Sequence, residues 1–526
     1  MPHPVTDRRA HATGTVAVVR PSPLGPSRAH ELSASWSSLA RRRSGGSWNP
    51  AARRSHGGCS WRLVTAMSVG IAEPAQAAAF DGASLSLAWV VPFVGLLVSI
   101  ALLPLVAPTV WHRHFGKIAF GWAAAFVVPF ATVFGTSEAL HRLAHAALLE
   151  YLPFVALLFA LYTVSGGIGL TGELRGTPRT NVTLLAIGAL LANVMGTTGA
   201  AMVLVRPLIR ANAARRHNVH VLMFFIFVVA NAGGSLTPLG DPPLFLGFLN
   251  GVSFFWVTKA LLGPASTLCI ALLAIFYLVD RHWHRREAGV VAPSSDGVLP
   301  NTRPRLTGWI NVAMLAGIVA TVLTSGVWRP AVSVRVLGTT VELQNALRDG
   351  LLVTIALLSW KLTPPGIHRA NAFGWGPMKE VAKLFAAIFV TIVPAIAILQ
   401  AGEGGAMAAL VRLVTTASGE PDNPMYFWMT GLLSAFLDNA PTYLVFFNLA
   451  GADADALMAH RQTLAAISGG AVFMGALSYI GNAPNFMVRS IAVERGIRMP
   501  SFFGYLLWSM PILLPMFAGL TWLFFR

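Results

Sequence analysis

Gly234-Ser235-Leu236-Thr237-Pro238-Leu239-Gly240-Asp241-Pro242-Pro243 returns 241 residues further on as Gly475-Ala476-Leu477-Ser478-Tyr479-Ile480-Gly481-Asn482-Ala483-Pro484. Four of the ten positions are identical, and the Thr/Ser, Leu/Ile and Asp/Asn exchanges are close ones. At the same offset Thr197-Thr198 falls on Asp438-Asn439, and Asn193 falls on Ser434. Each of these polar stretches interrupts an apolar run. Irregular backbone at membrane depth survives only where protein or a water-filled cavity satisfies its hydrogen bonds. Kinks in packed helices also place Gly and Pro inside apolar runs, but a kink has no reason to recur in two matched pairs.

The rest of the chain is that of a polytopic membrane protein. Its 526 residues are 55% apolar and 11% charged, with a mean hydropathy of +0.63, whereas a soluble protein is about 25% charged. Runs long enough for a helix to cross the hydrocarbon lie at 88–110, 117–134, 151–170, 219–250, 261–279, 307–325, 350–363, 382–400, 463–487 and 501–525. Two more, 183–205 and 425–450, are split by Gly196-Thr197-Thr198-Gly199 and Asp438-Asn439-Ala440-Pro441-Thr442 into half-length pieces suited to re-entrant hairpins. The expected fold is all-α, with about 10 full spans and 2 hairpins in two inverted-topology repeats. Each repeat is three spans, a hairpin, a broken span and a last span. They cover 88–279 and 307–525, joined by a cytoplasmic linker at 280–306.

The net charge of +17 divides in two. Residues 1–62 hold ten Arg against Asp7 and Glu31, lack apolar periodicity, and are expected to be a disordered leader or a mis-assigned start before Met67. Arg62, the apolar stretch Leu63–Ala72 and the small residues through Ala77 have the parts of a secretory signal over 63–77. The remaining positive charge lies in short loops. With the mature N-terminus outside, segments 112–117, 206–217, 281–305, 361–383 and 489–498 all fall inside, each carrying Lys or Arg. The flanks of the first hairpin hold six Arg and those of the second only Arg412 and Arg461, so the two hairpins are expected to enter from opposite faces. This distribution orients a protein in a bilayer and argues against nucleic acid as a partner. Cys59 and Cys269 are too few for a disulfide framework or a cysteine metal site.

Asp241 and Asp438 are the only carboxylates read within the spans and breaks; Glu138, Glu150, Asp280 and Asp349 are placed at span ends or flanks. A carboxylate in hydrocarbon costs several kcal/mol, so an intramembrane Asp is a functional residue by default. Each Asp also suits the cap of the half-helix that follows it, and capping is compatible with ion binding. Around them lie the oxygen donors Asn193, Thr197, Thr198, Asn231, Thr237, Asn439, Thr442, Ser478, Asn482 and Asn485. Singly, such residues more often bond local backbone. Together they describe a polar cavity with two acids and no Lys or Arg at the breaks, where Na⁺ is expected at Asp438, Asn439 and Asp241. A multiply charged anion calls for Arg or Lys, and Arg206, Arg210 and Arg489 are placed toward the cytoplasmic ends. Competition of Na⁺ and H⁺ for one carboxylate yields antiport without further machinery.

At these motifs the chain resembles the ion transporter superfamily, which includes NhaD-like sodium/proton antiporters, arsenite permeases and citrate or dicarboxylate carriers. The likeness extends over roughly residues 85–526. Asn231 through Pro243 looks like the first unwound helix of a sodium/proton-antiporter-like, citrate-transport subgroup, and Leu437-Asp438-Asn439-Ala440-Pro441-Thr442 like the second hairpin tip of the antiporter branch. The resemblance implies scaffold helices, a mobile transport unit and often a homodimer. It departs from carboxylate carriers, whose paired tips are Ser-Asn-Thr; here they are Gly196-Thr197-Thr198 and Asp438-Asn439-Ala440.

The expected function is Na⁺/H⁺ antiport across a plasma (bacterial inner) membrane, with Na⁺ and H⁺ as cargo and no cofactor. The alternatives are an anion or organic-acid permease for citrate, a dicarboxylate or arsenite, and, more remotely, an intramembrane enzyme using the two Asp as an acid pair. Enzyme chemistry has no use for a repeat, whereas transport needs two symmetric gates. His112-Arg113-His114 and His282-Trp283-His284 have no carboxylate or cysteine partner and suit interfacial anchors. A phosphate-binding loop for ATP is absent from the sequence.

Overall fold

The computed structural model describes residues 80–172, 174–287 and 305–526; the leader, the signal-like segment and residues 288–304 of the linker lie outside the described residues. Two series of helices follow one another along the chain. First come Leu87–Val106, Pro108–Phe134 and Thr136–Gly166. A folded-back pair within Pro178–Ala211 follows, then an interrupted helix, Val219–Val228 and Pro242–Leu249, and then Phe254–Glu287. The second series begins with Trp309–Val327, Leu343–Leu362 and Gly376–Thr391, the last bent by 41° into Val393–Gln400. It continues with Asn423–Leu437 and Asn439–Leu449, then Arg461–Phe473 and Ala483–Glu494, and ends in Phe502–Phe524.

Among the described residues, seven helices are long and apolar enough to cross a membrane, or eight with the bent pair, against ten runs in the sequence. Two of the ten, 219–250 and 463–487, are interrupted helices. A third, 350–363, belongs to Leu343–Leu362, whose opening turns carry Gln344, Asn345, Arg348 and Asp349 and lower its hydropathy. Large apolar side chains such as Phe120, Leu190, Leu278 and Leu507 stand exposed on the periphery, as a lipid-facing surface requires. The interior is formed by the interrupted helices: every residue of Val219–Val228 after the first is buried. Two short antiparallel ladders complete the fold, Gly169–Thr171 with Arg305–Thr307 and Ser333–Val336 with Thr339–Glu342.

The first hairpin turns at Gly196, whose φ of 76° and ψ of 156° only glycine adopts freely. Its arms fold back on one another, because Asn181 and Asn212 exchange amide hydrogen bonds of 2.9 Å. A straight helix would hold them about 46 Å apart. The second hairpin turns at Asp438, and the Tyr426 and Phe446 rings meet across it at 6.4 Å. In backbone terms the tips are Gly196 and Asp438, one residue out of the register that lays Thr197 over Asp438.

Three placements differ from the sequence expectation. His112, Arg113, His114 and Lys117 lie in the first turns of Pro108–Phe134 rather than in a loop, since Pro108 opens the helix earlier. Glu150 lies midway along Thr136–Gly166, in the π-helical stretch Ala146–Tyr151, and not at a span end. Residues 280–287 of the expected linker continue the helix Phe254–Glu287. They do so because buried ion pairs hold them. Asp280 accepts from Asn181 Nδ2 at 2.9 Å, lies 2.6 Å from Arg215 Nη1 and 2.8 Å from His220 Nε2, and Glu287 pairs with Arg215 Nε at 3.2 Å. This cluster ties both feet of the first hairpin to the two helices that follow it. Its value lies in having every charge partnered, because an unpaired charge there would cost several kcal/mol.

Candidate ion-binding site

Asp241 ends the first break. Its backbone, φ −145° and ψ 144°, is almost that of Asn482 at the second break, φ −156° and ψ 137°. The preceding glycines are equivalent too. A Cβ on Gly240 would collide with the carbonyl oxygen of Gly234, and one on Gly481 with that of Gly475. The recurring Gly-x₅-Gly spacing therefore has a steric cause: each break is a tight loop closed by two backbones in contact.

The Asp241 carboxylate is 2% exposed and accepts three hydrogen bonds from three other elements. Thr197 Oγ1, at the first hairpin tip, and Asn482 Nδ2, at the second break, donate to Oδ1 at 2.9 and 3.1 Å. Asn439 Nδ2, at the second hairpin tip, donates to Oδ2 at 2.5 Å. Both hairpins and both interrupted helices thus converge on one carboxylate, and Asp241 meets its own counterpart from the other half of the chain. Asp241 makes no side-chain cap to Pro242–Leu249; the cap reading does not apply to it. Asp438 does cap, accepting from the Asn439 backbone N–H at 2.8 Å. Its φ of 108° is a glycine-like conformation for a residue with a Cβ, a strain of about 1–3 kcal/mol that surrounding structure must hold.

Asn439 and Asn482 turn their amide nitrogens to Asp241, which leaves both Oδ1 atoms buried without a hydrogen-bond donor among the described residues. Unpartnered amide oxygens on two residues bonded to a buried carboxylate are of the type a hard cation takes as ligands. No group of three or more His, Cys, Asp or Glu exists among the described residues that could hold a transition metal. The remaining donors proposed from sequence divide into two groups. Thr198 stands half-buried with Asp241 on the wall of a cavity of about 100 Å³. Asn485 belongs to a buried relay: Asn231 Nδ2 donates to its Oδ1 at 2.7 Å, and its Nδ2 donates to the carbonyls of Gly475 and Ser478.

Asn193, Thr237, Ser478 and Thr442 serve backbone instead. Thr237 donates to the Asn193 carbonyl and Ser478 to the Ala435 carbonyl, so each break is stitched to its own hairpin by the same hydroxyl. Asn193 Oδ1 accepts from Leu236 N at 2.8 Å, and Thr442 Oγ1 donates to the Asp438 carbonyl at 2.7 Å.

A larger cavity of about 520 Å³ adjoins the small one, sharing Tyr162, Val381 and Met487 as wall. Asp438 and Asn482 reach it, as do Glu380, Glu494 and Arg206. Sequence reasoning set Arg206 aside as lying toward a cytoplasmic end. In the structure it is 8% exposed, within the second arm of the first hairpin. The signal was present: Arg206 is the one charge in the apolar stretch Ala200–Ile209.

Two hairpins and two interrupted helices meeting at a buried acid, in a chain with this many apolar helices, define a multi-pass membrane transporter. The chain matches the CitMHS_2 family, described as "Putative citrate transport", over residues 82–525. It belongs to that family, within the ion transporter superfamily that its motifs resemble. The family's description is one of transport. No curated protein matches the chain.

Proposed function

We propose that this protein exchanges Na⁺ for H⁺, using Asp241 as the shared site and Asp438 as the second acid at the cavity. One observation carries the proposal. Asp241 is bonded by neutral donors from three other elements, with no Lys or Arg on its oxygens, and two amide oxygens beside it lack donors. A cation would draw those oxygens and the carboxylate together; a proton on the carboxylate would release it. Because the ligands come from both hairpin tips and both breaks, binding and release couple directly to movement of the hairpins. Inverted topology of the two halves, supported by the charge of the loops, supplies the two gates at the midplane that alternating access needs. The positive segments would then face the cytoplasm of a cell whose plasma membrane holds the protein.

A second reading, transport of an organic acid such as citrate, draws on the family description and on the 520 Å³ cavity that Arg206 and Asn482 line, a volume typical of small-molecule sites. Proteoliposomes with an imposed pH gradient decide between them. Na⁺ should dissipate the gradient through the wild type, and Asp241→Asn and Asp438→Asn should reduce the response to background. Exchange at the wild-type rate in Asp241→Asn refutes the assignment. Citrate uptake with no Na⁺/H⁺ response transfers the function to the second reading.

A further inference from the structure

Arg206 lines a second space besides the large cavity. This pocket, about 430 Å³, lies between the second arm of the first hairpin, the strand Gly169–Thr171 and the short helix Pro365–Ala370. Arg206 and Arg210 both face it, one helical turn apart on one face of the arm. Its other polar side chains are occupied. Thr307 donates to the Gly169 carbonyl at 3.1 Å, Asn371 to the Gly166 and Ile168 carbonyls, and Thr171 to the Arg305 carbonyl. No acidic residue lines it among the described residues. Arg210 spends one nitrogen on the Leu170 carbonyl at 3.1 Å. Arg206 is more than nine-tenths buried, and its Nη1 has no partner among the described residues. Arg495, the cap of Ala483–Glu494 where that helix packs against this arm, brings a third guanidinium near both, with the Glu494 carboxylate near Arg206.

A buried guanidinium without an acceptor is costly, and two guanidinium groups on the wall of one pocket call for an anion. Paired arginine forks match the oxygens of a tetrahedral oxyanion. We propose that this pocket binds a phosphate group, held by Arg206 and Arg210, with Arg495 supplying further positive charge. The ligand chemistry is the same whether the phosphate is free or belongs to a lipid headgroup. The site is separate from Asp241: Arg206 lies nine residues beyond Thr197, about 13 Å along the helix. An oxyanion there would join the foot of the first hairpin to the strand and the short helix.

The test uses the full-length protein in phosphatidylcholine nanodiscs, titrated with inorganic phosphate by calorimetry at low salt. Saturable binding is expected, weakened about tenfold or more in Arg206→Gln by loss of charge-assisted hydrogen bonds. Arg210 is exposed, so Arg210→Gln should fold normally and still weaken binding. Asp241→Asn should bind phosphate as the wild type does while losing ion exchange, which separates failure of this site from failure of the transport assignment. Nanodiscs containing phosphatidylglycerol identify the source. Loss of free-phosphate binding there, with lipid retained by wild type but not by Arg206→Gln, identifies a headgroup; unchanged binding identifies free phosphate. Absence of saturable binding in phosphatidylcholine, or equal affinity in the wild type and both arginine variants, overturns the proposal.

Discussion

Asn482→Asp tests the centre of the site. Asn482 Nδ2 stands 3.1 Å from Asp241 Oδ1, so the substitution replaces a hydrogen bond with two facing carboxylates. At an effective dielectric constant of about 20, two unit charges at that separation repel by about 5 kcal/mol. For a chain of this length, with an unfolding entropy near 2.1 cal/mol/K per residue, that lowers the melting temperature by about 5 °C. The double variant Asp241→Asn/Asn482→Asp moves the single carboxylate to the other half of the pair. It removes the repulsion, but the new carboxylate faces the Ala230 carbonyl that Asn482 Nδ2 now serves at 3.1 Å. The buried Asn439 Nδ2 also loses its anionic acceptor. Each mismatch costs about 1–3 kcal/mol, so the two together take back about 2–6 kcal/mol and the swap recovers at most about 3 of the 5 kcal/mol. Differential scanning fluorimetry of detergent-purified protein in sodium-free buffer reads both steps. A single variant that melts with the wild type would show that the two residues do not form the pair described.

Asp438→Gly should melt no lower than wild type and yet lose Na⁺/H⁺ exchange. Glycine relieves the backbone strain at φ 108°, and as a helix cap it is only a few tenths of a kcal/mol worse than aspartate. Thermal melting and the proteoliposome assay on the same preparation check this. Gly240→Ala and Gly481→Ala should each cost about 1–3 kcal/mol or more through overpacking, because the added methyl meets a backbone carbonyl that cannot move aside. Gly376→Ala, where a Cβ meets nothing, is the matched control, and fluorescence size-exclusion profiles of the three variants should separate them.

Much of the architecture was legible because its cause is local. A polar, glycine-rich interruption in an apolar run has one physical resolution in hydrocarbon, a loop inside protein, and the four interruptions were visible as such. Gly240 and Gly481 recur because two backbones touch, which is a steric demand written directly into residue type. The span count was less legible, since hydropathy averages over 219–250 and 463–487 and counts each interrupted helix as one full span. Glu150 was misplaced for a related reason: an amphipathic helix, Thr136–His145, runs without a break into the apolar one, and composition marks its polar turns as an end.

Residue type and spacing alone determined that this is a helical membrane protein with paired breaks, and that Asp241 and Asp438 are the acids at them. Only tertiary structure decided what each side chain does there. Thr197, Asn439 and Asn482 reach Asp241, whereas Thr237, Ser478, Asn193 and Thr442 serve backbone, and Arg206, read from sequence as lying toward a cytoplasmic end, is part of a buried wall. The physical reason is that all of these are short or flexible polar groups with several partners of equal chemistry. Local sequence sets which hydrogen bonds a residue can make, and the packing of hairpin against interrupted helix selects which of them it makes.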